Sequence, residues 1–173
     1  MEPLIELGKI LLPASVVLYA VYLMVKSFII KEIEMKKLEV RSRSIEITLP
    51  VRLQAYERIT LFLERISPQN LLIRLSDPGY RARDFQKILL DEIRNEYNHN
   101  VSQQVYMSEE VWSQVKNAKE DLIMLINEAA GTMSADSNAV DLSKRIFEKA
   151  LEKKMDMIGH ALSDLKKEIQ QTF

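Results

Sequence analysis

The sequence predicts an all-α protein: a single N-terminal transmembrane helix followed by a small bundle of about four helices, the last long and heptad-like. Three observations carry that prediction. From Ile10 to Val25 there is no charged residue. Only four Gly and five Pro occur in 173 residues, too few for the turns of a β-sandwich or barrel. Beyond Pro50 the apolar residues recur at helical spacing with polar residues opposite.

Composition narrows the function classes. With 47% apolar and 28% charged residues the chain can fold, and its length suits one ordinary domain beside the anchor. A formal net charge of −1 gives no global pull toward nucleic acid, so no nucleic-acid partner is expected. The absence of Cys removes disulfides, thiolate chemistry and Cys-based zinc sites together.

The anchor is the first element. Ile10 to Val25 covers roughly 24 Å as a helix, and extension to Ile30 gives about 31 Å, matching a hydrocarbon core of about 30 Å. Lys26 then lies near the end of the span, where its stem lets the ammonium reach the headgroups. Pro13 falls in the first turns, where a helix tolerates it. A cleaved signal peptide would open on basic residues and end in a small-x-small site. This chain opens on Met1-Glu2-Pro3, and no such site follows Val25. A buried core helix rarely stays apolar for so long.

The flanking charges set the orientation. Lys26, Lys31, Lys36, Lys37, Arg41 and Arg43 follow the span, against Lys9 before it, so the positive-inside rule puts the N-terminus outside and the large domain in the cytoplasm. The same six residues are the candidate membrane-surface set, each contributing roughly 1 kcal/mol near anionic headgroups. The expected organisation is an anchor over 1–31 (span about 10–30), a juxtamembrane helix and connector over 32–49, and a cytosolic helical domain over 50–173.

Ile33, Met35 and Leu38 give the juxtamembrane helix an apolar side, and it should loosen near Ser42–Ser44. Ile45-Glu46-Ile47-Thr48 alternates and reads as an extended connector. Pro50 suits the first turn of the next helix, whose broad apolar face comprises Val51, Ala55, Tyr56, Ile59, Phe62, Leu63 and Ile66. Ser67-Pro68 ends it and opens a short helix to Leu75. Asp77-Pro78-Gly79 is a turn, with Pro presetting φ and Gly free to take positive φ. A helix follows from about Ala82 to His99, or as far as Gln104, with Phe85, Ile88, Leu89, Ile93 and Tyr97 apolar. Ser108 is the N-cap of the next helix, with Glu109 and Glu110 favourable at its positive end and Trp112 as a core anchor. Its apolar set is Val111, Val115, Ala118, Leu122, Leu125, Ile126 and Ala129, and Gly131 should close it as a left-handed cap. After a polar loop from Thr132 to Asn138, one long helix should reach the C-terminus.

Two patterns could carry function. Leu151, Met155, Ile158, Leu162, Leu165 and Ile169 follow a 4-3-4-3-4 spacing, that of a coiled-coil seam, with Glu152, Lys154, Asp156, Lys166 and Glu168 as solvating charges beside it. This stripe either binds a partner or second copy, or packs within its own domain. Glu96 and His99 stand three apart on one helical face with Glu92 a turn before. Di-iron bundles use such a pair twice, however, and His160 has Met157 three residues before it. Glu92, Glu96 and His99 are therefore weak metal candidates beside a structural polar cluster, and no cofactor is expected. No phosphate-binding glycine loop and no nucleophile elbow occurs.

The runs TLPVRLQAYERITLFLERISPQNL (Thr48–Leu71) and IRNEYNHNVSQQVYMSEEVW (Ile93–Trp112), with the N-terminal anchor, resemble a family of short, uncharacterised membrane-anchored helical proteins from Bacteroidetes-type bacteria. The resemblance implies a bacterial inner membrane and a helical domain, and it brings no activity or catalytic residues. The expected role is that of a non-enzymatic, membrane-tethered interaction, scaffold or accessory protein. Its expected partners are the lipid bilayer and a protein or second copy at the C-terminal helix. The alternatives are a metal-binding or enzymatic bundle and a sensor of anionic lipid surfaces.

Overall fold

In a computed structural model the chain is described over residues 2–152 and 156–172. The described residues form six α-helices and one 3-10 segment: α1 (Glu2–Ile66), α2 (Pro68–Leu75), α3 (Ala82–Asn100), the 3-10 turn (Val101–Tyr106), α4 (Glu109–Ala130), α5 (Ala139–Glu152) and α6 (Met157–Thr172). No strand is present among them, only an isolated antiparallel bridge between Arg81 and Asn138. Contacts divide the chain into two units, Met1–Leu49 and Pro50–Phe173.

The first unit is helical throughout its described length. It contains a stretch long and apolar enough to cross a membrane, none of it buried within the protein. The Tyr19 and Tyr22 rings stack at 6.5 Å, and the Lys26 ammonium lies 6.0 Å from the Tyr22 ring. The extended connector expected over 45–48 is not found, because that stretch is helical. Ile45, Ile47 and Thr48 are weak helix formers, yet no Gly interrupts the run, and the Thr48 hydroxyl donates back to the Ser44 carbonyl at 2.8 Å. Pro50 accordingly sits inside α1 rather than in the first turn of a new helix. It offers no N–H to the carbonyl of Glu46, a residue on an exposed surface where water can serve instead.

The second unit is a helical domain around one core. Residues Pro50–Ile66 of α1 supply Tyr56, Ile59, Phe62, Leu63 and Ile66, all buried. They join Phe85, Leu89 and Ile93 of α3, the Val115–Ala129 face of α4, Leu142 and Ile146 of α5, and Ile158, Ala161 and Leu165 of α6. Each fully buried side chain of this size contributes roughly 1.5–3 kcal/mol relative to exposure, which is what holds helices of ordinary propensity in place.

Local chemistry fixes the helix ends. Ser67 caps α2, accepting from the Asn70 amide, and Ser108 caps α4, accepting from the Val111 amide at 3.2 Å. Asn138 and Asp141 cap α5 reciprocally, each side chain taking the other's amide. The loop before α5 is tied to the start of α3, where the Ala82 amide donates to Ser137 and the Ala139 amide to Tyr80.

Three local expectations are corrected. Gly131 does not form a left-handed cap: its φ is −63° and its amide donates to the Asn127 carbonyl, so α4 ends in a tightened right-handed turn. Gly79 likewise avoids positive φ, because Asp77 turns the chain by accepting from the Gly79 amide on its side chain and from Tyr80 on its carbonyl. The single long last helix is two helices. Asp156 is non-helical and opens α6 by accepting from the Gly159 amide at 2.9 Å.

Candidate functional site

That break reshapes the C-terminal stripe. Ile158 and Leu165 are buried, and Leu162 and Ile169 pack half-buried against the same core. Leu151 is 78% exposed, and Met155 lies outside the described residues. From Ile158 onward, then, the stripe is core surface of its own domain and not a free coiled-coil seam. The part left open is Leu151, with Phe147 exposed one turn before it.

The Glu92, Glu96 and His99 pattern is also resolved. Both carboxylates are half-buried and engaged by arginines: Arg65 meets Glu96 at 2.6 Å and Glu92 at 4.0 Å, and Arg74 meets Glu92 at 2.6 Å. His99 is exposed and does not join them. Among the described residues no group of three His, Asp or Glu side chains is disposed to hold a metal ion. The network instead joins the end of α1 and helix α2 to α3. Beside it, Tyr97 stacks on Trp112 at 5.8 Å and carries the Lys119 ammonium 4.3 Å above its ring, so Trp112 is a core anchor as expected.

The six basic residues after the span are all exposed on α1. Arg43 is held by Glu39 at 2.8 Å. Lys36, Lys37 and Arg41 share one side of the helix with Ile33, Val40 and Ser44.

The strongest polar constellation is one that sequence reasoning treated as a solvating charge. Glu168, on α6, is only 14% exposed. Its carboxylate accepts from the Tyr56 hydroxyl at 2.7 Å, from the Ser108 amide at 3.1 Å and from the Ser108 hydroxyl in a very short bond. Arg52 completes the set, donating to the Tyr56 hydroxyl at 2.6 Å and to the Tyr106 carbonyl at 3.2 Å. One carboxylate thus ties α1, the cap of α4 and helix α6 together, and Arg52 adds the end of the 3-10 turn.

The titration of the cluster follows from these contacts. For Glu168, burial is the largest single influence and pushes its carboxyl upward. The Ser108 hydroxyl, the Tyr56 hydroxyl, the Ser108 amide and the Arg52 charge together outweigh burial and hold it below its ordinary value. Tyr56 moves the other way: burial first, then its bond to Glu168 and the charge of Glu168, raise the phenol, with Arg52 opposing. Arg52, ionised Glu168 and neutral Tyr56 satisfy one another, and among the described residues no buried side-chain polar atom lacks a partner.

Fold and site together define a class: an all-helical protein with one helix apolar enough to span a membrane and a helical domain whose buried polar groups bind each other. Within that class the chain matches, over residues 2–172, the model of the Family of unknown function (DUF7935), and it belongs to that family. Comparison with curated proteins and with solved structures found no match.

Proposed function

We propose that this protein is a membrane-tethered interaction module: one helix crosses the bacterial inner membrane with the N-terminus outside, and a non-enzymatic helical domain in the cytoplasm engages a protein partner. The observation that carries the reading is the apolar stretch of α1, whose residues from Leu11 to Ile30 are exposed wherever their side chains are described. That surface needs a lipid solvent, because water would charge about 25 cal/mol for each Å² left open. The basic excess after the span supports the orientation. The interaction role draws on the satisfied Glu168 cluster, which is built to hold helices together and not to react, and on the exposed pair Phe147 and Leu151.

Carbonate extraction of native membranes, with a reporter at each end, tests the tether. Retention in the pellet with a cytoplasmic C-terminus is expected, and release into the wash or an external C-terminus would remove the reading. Cross-linking and mass spectrometry in intact membranes tests the interaction role, and a strictly monomeric, partnerless protein would count against it. A second reading, contact of Lys36, Lys37, Arg41 and Arg43 with anionic headgroups, draws on their exposure. It fails if Lys36→Gln, Lys37→Gln and Arg41→Gln together leave binding of acidic lipid unchanged at low salt.

A further inference from the structure

The segment of α1 between the apolar stretch and Pro50 carries two apolar seams. Ile33, Lys37, Val40, Ser44 and Ile47 repeat at 4-3-4-3 spacing; Met35, Leu38, Ser42, Ile45 and Leu49 repeat at 3-4-3-4. At 100° per residue the two run along opposite sides of the helix, with charges between them. Ile33, Val40 and Ile47 are 49%, 68% and 73% exposed, and Met35, Leu38 and Ile45 are 69%, 64% and 50% exposed. A 3.5-residue apolar repeat is the demand of a helical partner, and the seam residues Ile33 to Ile47 are exposed, with Leu49 half-buried.

We propose that the first seam of one copy packs on the second seam of the next, parallel and shifted by two residues, so that copies line up side by side in the membrane. The proposal rests on the tether reading for the common orientation of the copies. The shift places Val40 against Leu38 of the next copy, Ile47 against Ile45, and Ser44 against Ser42, so that layer is polar on both sides, while the Lys37 stem lies on Met35 with its ammonium reaching out to water. The flanking positions then pair by charge: Lys36 with Glu39 of the next copy, Arg43 with Glu46, and Arg41 with Glu34. Symmetric packing does worse on both seams. The first seam on itself sets Lys37 against Lys37 and Lys36 against Arg41; the second on itself sets Glu34 against Glu39, offset by one favourable pair, Arg41 with Glu46, where the shifted packing has three. Neither arrangement covers both faces, whereas the shifted one does.

The shift also suits a bilayer. An axial offset of about 3 Å between axes about 9 Å apart is absorbed if each helix leans roughly 18° along the row, close to the ordinary tilt of membrane helices. Because the two surfaces differ, the contact is head-to-tail and extends beyond a dimer.

The natural chain has no Cys, which makes disulfide trapping clean. Full-length protein carrying both Leu38→Cys and Val40→Cys, oxidised in native membranes, should give a ladder of dimer, trimer and larger species. Either substitution alone should give about tenfold less copy-to-copy product, since like positions do not meet. Adding Lys36→Glu to the double variant should reduce the ladder about tenfold, and further adding Glu39→Lys should restore it. A dimer from Val40→Cys or Leu38→Cys alone in the yield of the double variant overturns the shifted packing, and so does a double variant that cross-links only to other proteins or not at all. Carbonate extraction of the same membranes separates the two ideas: a ladder from washed-off protein would end the tether while leaving the seam pairing, and a retained protein without a ladder would do the reverse.

Discussion

Arg43 and Arg52 lie on the same helix and both face a glutamate, yet the two pairs belong to different physical regimes. The Arg43–Glu39 pair is local, with side chains 74% and 60% exposed. The Arg52–Glu168 pair reaches across the domain, with side chains 35% and 14% exposed, and it shares its carboxylate with Tyr56 and Ser108. The same contrast holds for apolar residues. In the first unit Leu18 and Ile47 are more than 70% exposed, while in the second Phe62 and Leu63 are buried. One helix therefore carries two kinds of surface. Its first part presents apolar side chains outward, and its last turns present them inward to a core.

The contrast is broken most forcefully at Phe62. Phe62→Ala should cost about 4 kcal/mol, through lost transfer energy and an unfilled cavity. Leu18→Ala, in the exposed stretch, should leave unfolding of the helical domain unchanged. Urea denaturation of the full chain in detergent, followed by Trp112 fluorescence, compares the two, and equal effects would refute the division into units.

Next in size is the polar cluster. Glu168→Ala should destabilise the domain by about 3 kcal/mol, because it leaves Tyr56, Arg52 and Ser108 facing an empty, partly desolvated site. Glu168→Gln keeps the volume and one acceptor and should cost less. If both variants unfold at the wild-type urea concentration, the cluster does not hold the helices together.

How far these features could be read from the sequence follows from the range of the interactions. The faces of α1 beyond Pro50 and of α4 were legible, because their apolar residues recur every three or four positions and burial followed that period from Ala55 onward; Val51, expected on the same face, is exposed. The cap at Ser108 was legible too, since a capping side chain acts on an amide three residues on; Ser67-Pro68 marked the start of α2 without being read as its cap. The helix through Thr48 was not: Ser42, Ser44, Ile45 and Ile47 are weak formers, and Pro50 looks like a helix start. The break before Met157 was hidden for the opposite reason. No Gly or Pro marks it, and Asp156 in a charged helical stretch reads as a solvated side chain. Glu168 was the least legible, because its partners Tyr56 and Ser108 stand 112 and 60 residues away. Charge spacing on α6 itself points Glu168 only toward solvent.

Acid sharpens the contrast further. Because the folded Glu168 carboxyl titrates below the unfolded one, its contribution is complete above the unfolded value of about 4.5 and drains as pH falls through the folded value. Tyr56 has the opposite sign: the raised phenol contributes fully below about pH 10 and less as pH rises through its folded value. As pH falls from about 5 through the unfolded value of about 4.5 and on toward the lower folded value, wild type should therefore lose more stability than Glu168→Gln. Parallel curves for the two proteins over that range would mean that the carboxylate is not held by its three donors and the Arg52 charge.

The smallest effect belongs to Arg43. Arg43→Ala removes an exposed pair whose Coulomb gain is screened and offset by the ordering of two long side chains, so unfolding of the domain should shift by less than about 0.5 kcal/mol. Arg52→Ala should shift it by more, since Tyr56 loses a donor and Glu168 a neighbouring positive charge in a place water reaches poorly. Salt offers the sharper reading of the same difference. Any effect of Arg43→Ala should vanish at 1 M NaCl, where screening reaches about 3 Å, while that of Arg52→Ala should largely persist, because burial shields its partners from mobile ions. Should both disappear together, Arg52 would be a surface charge like Arg43, and the cluster would reduce to the hydrogen bonds of Tyr56 and Ser108.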